Sequence, residues 1–254
     1  MKMKINRITY RTYQYTIGFL LLCSLTIGCH TVKIDKTSMQ TATKTPIAPG
    51  IIGVHKDGIL HSEFQAAAIP SYKKNILVNV RSNDFNQNTF NSYLKVSKEN
   101  LLGLNYVDSL ESKPQFITVD VLDRVAIIAE LEATYNSQTL AYLKGQKKAA
   151  IVTSVSLTLE AQLIEEIKNA EAVFLSNAPY KQYQLSLVNK GKTYKTIDFS
   201  KAHIFAYELS FFCWGENSRK QIALAGIIDK KTSCPKSTYR SAEKATEKMN
   251  YFKL

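Results

Sequence analysis

The sequence has few of the residue types from which active sites are usually recognised. Histidine occurs four times, at positions 30, 55, 61 and 203, and tryptophan once, at 214. No pair of histidines has the i, i+4 spacing that places two ligands on one helical face. His55, Asp57, His61 and Glu63 form the densest group of donors. A metal centre needs three or four converging ligands, and ordinary loop polarity explains these four as well, so no metal and no cofactor is expected. The chain also lacks a phosphate-binding glycine loop, a dinucleotide fingerprint, a G-x-S-x-G elbow and an H-E-x-x-H helix. A Ser-His-Asp constellation is assembled in space, so sequence alone does not exclude one. Glu165 and Glu166 are neighbours on the solvent side of a helical pattern, and Asp120 and Asp123 have a sufficient role in capping. The balance favours a protein that is not an enzyme, without deciding the matter.

Long apolar runs are scarce too. The one that stands out covers residues 16–28, thirteen residues without a charge, preceded by Lys2, Lys4, Arg7 and Arg11 and by no acid. Thirteen helical residues rise only about 20 Å, short of the roughly 30 Å hydrocarbon core that a permanent span must cross. Basic flank, short apolar run and small residues together read as a secretory signal. The run ends in Leu25-Thr26-Ile27-Gly28-Cys29, which resembles the lipobox of bacterial lipoproteins, with Thr26 where the commonest pattern has Leu. The resemblance covers residues 1–29 and implies cleavage after Gly28, a diacylglyceryl thioether on Cys29 and usually a further acyl chain such as palmitate on its amine. The partner is then the membrane itself. Each buried methylene contributes about 0.8 kcal/mol, so two or three chains hold firmly where one binds marginally. The competing reading is an ordinary cleaved signal followed by a chance cysteine. His30 stands where an inner-membrane retention signal would have Asp, and no acidic run follows. By the same resemblance both features point to the outer membrane and its periplasmic face.

Cysteine is limited to four residues. Cys23 leaves with the signal and Cys29 is taken by lipid, so Cys213 and Cys234 remain, an even pair that in an oxidising compartment suggests a disulfide. A metal or redox pair is the alternative, against which the spacing argues. Net charge is +12; losing the four basic residues of the signal leaves +8. That excess predicts attraction to acidic surfaces generally. It does not single out nucleic acid, and an envelope location argues against it.

What remains is a globular composition, 45% hydrophobic with 14 Tyr and 11 Phe. Residues 29–50, rich in Thr and Lys with two prolines, read as a lipidated tether, and 51–254 as one domain. Apolar runs predict strands at 75–80 and 115–119, a weak helix in the Asn-rich segment between them, and a helix capped by Asp120 with Val121, Val125 and Ile128 on its inner face. A short helix follows over 137–145, with Gly145 at a left-handed C-terminal position. Residues 149–159 predict a strand with Ile151, Thr153, Val155, Leu157 and Leu159 on one face, and 159–170 a helix burying Leu159, Leu163, Ile164 and Ile167. Strands then dominate: 172–176, a hairpin turning at Gly191, the aromatic strand 203–214 and 221–229, before a terminal helix around 240–250. The order predicts an α+β fold, its mixed, largely antiparallel sheet lying in the C-terminal half with helices packed on one face. In the aromatic strand, Phe205, Tyr207, Leu209, Phe211 and Cys213 share the core face. Phe212 and Trp214 lie on the other and, with Tyr180, Tyr183 and Tyr194, are the candidate ligand surface for glycan or peptide. The expected function is a membrane-tethered binding or assembly module whose partner is an envelope protein or acidic polymer; the alternative is a hydrolase of cell wall or glycan with dispersed catalytic residues.

Overall fold

The computed structural model describes residues 31–42, 47–58, 62–97 and 102–251. Among these residues twelve strands form one sheet, and every pairing in it is antiparallel. With five α-helices among the described residues, the fold is α+β. Antiparallel pairing is not confined to the C-terminal half, because strands from residue 31 onward join the same sheet.

Two long strands form the centre. β7 (Ala149–Thr158) and β11 (His203–Glu216) pair from His203↔Thr158 to Phe211↔Ala150. Both are rich in β-branched or aromatic residues, which suit a pleated surface buried on both faces, and every residue of β7 is buried. On the side away from this shared seam, each outlasts any single neighbour. β7 is flanked by β3 (Ile52–Asp57) near its start and by β6 (Gln115–Val121) further on. β11 is flanked by β2 (Thr37–Thr41) and then by β12 (Ile222–Asp229). From β6 the sheet continues through β5 (Ile76–Asp84), β8 (Ala172–Ala178) and β9 (Gln182–Asn189) to β10 (Lys192–Asp198). β1 (Thr31–Ile34) and β4 (Ser62–Ala68) extend β2 and β3. Gly191, with φ of 71°, makes the expected turn between β9 and β10.

Three bulges bend the centre. The pairing shifts leave Phe205 of β11, Thr153 of β7 and Ala225 of β12 as extra residues, and each extra residue adds local twist. The first overturns the predicted alternation. Phe205 leaves the face it was expected to share with Tyr207 and joins Ala206 in a separate cluster with Phe85, Phe90, Tyr93 and Phe116. Rings there meet at 4.8 Å (Phe85 and Phe116) and 5.1 Å (Phe116 and Phe205, edge to face).

α1 (Gln87–Val96) closes this smaller cluster with Phe90 and Tyr93. It forms despite poor helix propensity because Asn86 and Thr89 make a reciprocal capping box and because its two aromatics are buried. The other helices contribute to the larger core: Ile127 and Leu131 from α2 (Arg124–Glu132), Leu143 from α3 (Ser137–Lys144), Ile164 and Ile167 from α4 (Ala161–Lys168), Ala242 and Ala245 from α5 (Ala242–Tyr251).

Several expectations need correction. β1 and β2 occupy part of the segment read as a tether. Val32, Ile34 and Met39 are buried in the smaller cluster, and their alternation with Thr, Lys and Ser is the strand signal within that polar composition. Asp120 lies in β6 and does not cap; Asp123 caps α2 by accepting from Ala126 N at 2.8 Å. α2 therefore starts later than expected, and Val125 faces outward at 76% exposure. Gly145 ends α3 in right-handed geometry, with φ of −80°.

Cys213 and Cys234 form a disulfide that pins the segment before α5 to β11, beside a bridge between Trp214 and Tyr239. Replacing both cysteines with Ser is expected to lower unfolding stability by about 3 kcal/mol, the loop-closure value for this spacing, read from urea midpoints. Gly53 is a second test. A Cβ there would stand 2.0 Å from the Gln65 carbonyl oxygen. Gly53→Ala is expected to cost about 3 kcal/mol by forcing β3 and β4 apart, measured by thermal melting against Gly145→Ala, where φ is −80° and a Cβ meets only the Tyr142 carbonyl oxygen, at 3.6 Å.

Candidate functional site

Two concave regions stand out, one apolar and one charged. The apolar cavity, about 560 Å³, lies where β2 ends and β11 begins. Ile47, Ala48, Ile51 and Ile204 line it, with Ile69, Val96 and Phe199 around them and Lys181, Gln182, Asp198, Ser200 and His203 as polar members. Its wall is fixed from below. The segment at 50–51 is hydrogen-bonded to β7 through Gly50 N to Val152 O and Val152 N to Ile51 O. Position 50 requires glycine twice over: its φ is left-handed, 86°, and the Tyr72 ring lies 2.7 Å from where a Cβ would be. Tyr72 donates its hydroxyl to Gly50 O at 2.9 Å, Tyr183 donates to Pro70 O at 2.7 Å, and the two rings stack at 5.4 Å. Burial pushes both phenols well above the ordinary tyrosine range. They are structural clamps, with one edge of Tyr183 exposed to the cavity.

The turn beside it is strained. Tyr180 and Lys181 both have left-handed φ, 61° and 55°, which a side chain with a Cβ adopts only at an energetic cost. The result is a tyrosine 94% exposed next to a lysine that lines the cavity.

The charged region crosses five strands. Arg81 of β5 donates to Asp120 of β6 at 3.0 Å and to Asp35, in the β1–β2 turn, at 2.7 Å. Asp120 also accepts from Ser154 of β7 at 2.6 Å. Thr153 pairs with Ser210 of β11, and Ser210 reaches Asp229 of β12, which Arg124 holds at 2.6 Å. At the centre is Glu208, lining a groove of about 310 Å³ with Asp229, Lys36, Lys230 and Lys231. Its carboxylate makes no hydrogen bond or ion pair to a described residue. Burial, then the nearby charges of Asp229 and Asp120, raise its pKa against the opposing pull of Arg124 and Arg81.

The sequence-predicted residues are scattered. Cys29 lies outside the described residues. Tyr180 is exposed, and Tyr194, 48% exposed on β10, donates to Glu166 O at 3.2 Å. Tyr183 is buried in its clamp. Phe212 and Trp214 do not border a groove: both are buried in the larger core because the C-terminal segment folds over them, Trp214 exchanging backbone bonds of 2.7 and 2.8 Å with Tyr239. His55 is buried against Phe211, with Lys230 Nζ 3.2 Å from its Nε2; His61 lies outside the described residues. Among the described residues no three His, Cys, Asp or Glu side chains gather as metal ligands. Sequence reasoning missed Glu208. Its signal was a lone acid in the middle of an apolar, aromatic strand.

Searches against family models, curated proteins and solved structures find no match to this chain.

The raised pKa of Glu208 has a definite sign. A carboxyl whose folded pKa exceeds its unfolded value, about 4.3, destabilises the native state once ionised. The penalty is absent below the unfolded pKa, grows as pH rises and is complete above the folded pKa. Glu208→Gln is therefore expected to raise the urea midpoint at pH 8 relative to the wild type and to leave it unchanged at pH 3.5.

Proposed function

We propose that this protein is a bacterial envelope lipoprotein that works as a membrane-tethered binding module. Residues 1–28 are its signal peptide, Cys29 carries the lipid, and the domain faces the periplasm from the outer membrane, with α2 to α5 covering one face of the sheet. It binds rather than transforms its partner, an envelope component, and takes no cofactor. The observation that carries the binding role is the cavity, about 560 Å³ and lined mainly by apolar side chains with a polar group on one side, within the roughly 300–1,000 Å³ of ligand pockets. The anchoring rests on the lipobox-like sequence ending at Cys29. The early start of β1 adds a geometric consequence. Thr31 is already in the sheet, so two residues, at most about 7 Å of chain, join the lipid to the domain.

A second function is favoured by one specific feature. Glu208 and Asp229 line one groove, Asp229 in an ion pair with Arg124, and a carboxyl with raised pKa beside a second carboxylate is the pairing used by general-acid hydrolysis of glycans.

Mass spectrometry of the mature, denatured protein tests the anchor. The chain is expected to begin at Cys29 with added diacylglyceryl mass, and Cys29→Ser to remove it and release the protein from washed membranes. A chain retaining residues 1–28, or one free of acyl mass, rejects the lipoprotein assignment. Hydrolysis of purified cell wall, lost in both Glu208→Gln and Asp229→Asn, would replace the binding role with the enzymatic one.

A further inference from the structure

We propose that the apolar cavity holds one acyl chain of a phospholipid from the membrane to which the protein is anchored, its mouth lying against that bilayer. This deepens the lipoprotein assignment and rests on it for the placement of the mouth.

Connectivity brings cavity and anchor together. Thr31 pairs with Gln40, and Ala42, two residues beyond Gln40, is part of the cavity wall. Antiparallel partners are about 5 Å apart, and each two-residue step adds at most about 7 Å. The wall at Ala42 is therefore within about 20 Å of Cys29 by the longest path through these elements, less than the thickness of a bilayer's hydrocarbon core.

The chemistry of wall and rim fits the same occupant. Ile47, Ala48, Ile51 and Ile204 offer an acyl chain no hydrogen-bonding group from their side chains. A sugar or a polar peptide would leave its own polar groups unpaired there, which is costly. The mouth is mixed, with exposed Lys181, Gln182 and Ser200 beside apolar Ile69. Ile69, which lines the cavity, is 40% exposed, and the strained turn holds Tyr180 outward beside it in sequence to the lining residue Lys181. An amphipathic ring next to a cation is the combination favoured at the headgroup level of a membrane. Lys181 and His203 offer donors to a phosphate, while Asp198, the acidic member of the lining, is occupied in accepting from Ser200 N at 2.8 Å. The charged groove around Glu208 has the opposite character and is not part of this site.

Native mass spectrometry of the full-length mature protein, released from detergent, tests the proposal with dipalmitoyl, dimyristoyl and dilauroyl phosphatidylglycerol as probes. The expected result is one bound lipid and an affinity that falls about fifteenfold at each step, as two methylenes leave the buried chain. Ile69→Asp at the mouth and Ala202→Trp within the cavity are each expected to weaken dipalmitoyl binding at least about tenfold, the loss of a few buried methylenes. Thermal melts establish that each variant is folded; Ile69 is exposed enough that its variant serves should Ala202→Trp fail. No bound lipid in the wild type, no dependence on chain length, or equal binding in the folded variants overturns the proposal. The denatured mass of the same sample reports the covalent lipid separately. Acyl mass on Cys29 without a bound phospholipid rejects the cavity's role alone. A chain-length-dependent phospholipid on a protein lacking acyl mass supports the cavity and rejects the anchor.

Discussion

The pairing of β7 with β11 is the constraint on which the rest of the structure depends. Both strands are buried along most of their length, so their backbone groups must be satisfied within the sheet. On the side away from the seam no single neighbour is long enough to do this. Each therefore recruits two, β3 and β6 on one side, β2 and β12 on the other. The bulges at Phe205, Thr153 and Ala225 let the sheet bend around these changes of partner. Side-chain polarity obeys the same rule: Thr153 bonds Ser210, and Thr118 bonds Ser156, where both members are out of reach of water.

That seam also divides the chemistry. At the start of β11, its bulge sends Phe205 into the aromatic cluster under α1, and Ile204 into the wall of the apolar cavity. Further along, Glu208 and Ser210 join the line of polar side chains running from Arg81 to Arg124. One strand thus carries both an apolar and a charged concavity. In the charged one most groups neutralise one another. Arg81 is divided between Asp35 and Asp120, and Arg124 is committed to Asp229. Glu208 makes no hydrogen bond or ion pair to a described residue, and burial, then the charges of Asp229 and Asp120, raises its pKa.

Much of the secondary structure was legible because it rests on local patterns. The alternation in β7, the turn at Gly191 and the stripe of Ile164 and Ile167 each follow from residues close together in sequence. Errors occurred where a longer-range contact decided. Val32, Ile34 and Met39 looked like part of a polar linker until the aromatics of α1 and β6 gave them something to pack against. Phe212 and Trp214 looked free to meet a ligand because the segment that covers them arrives more than twenty residues later. Both sites were largely hidden for the same reason, since Glu208 meets Asp229 and Ile47 meets Ile204 only across the folded sheet.

By itself, the sequence determined the α+β class, the pairing of Cys213 with Cys234 and the order of most helices and strands, because periodicity, turn chemistry and cysteine number are properties of the chain before it folds. Only the tertiary structure decided where the bulges fall, which aromatics become core and which acids lie near Glu208. Those outcomes depend on which strands flank β7 and β11, and sheet partners far apart in sequence are chosen by the packing of the whole chain.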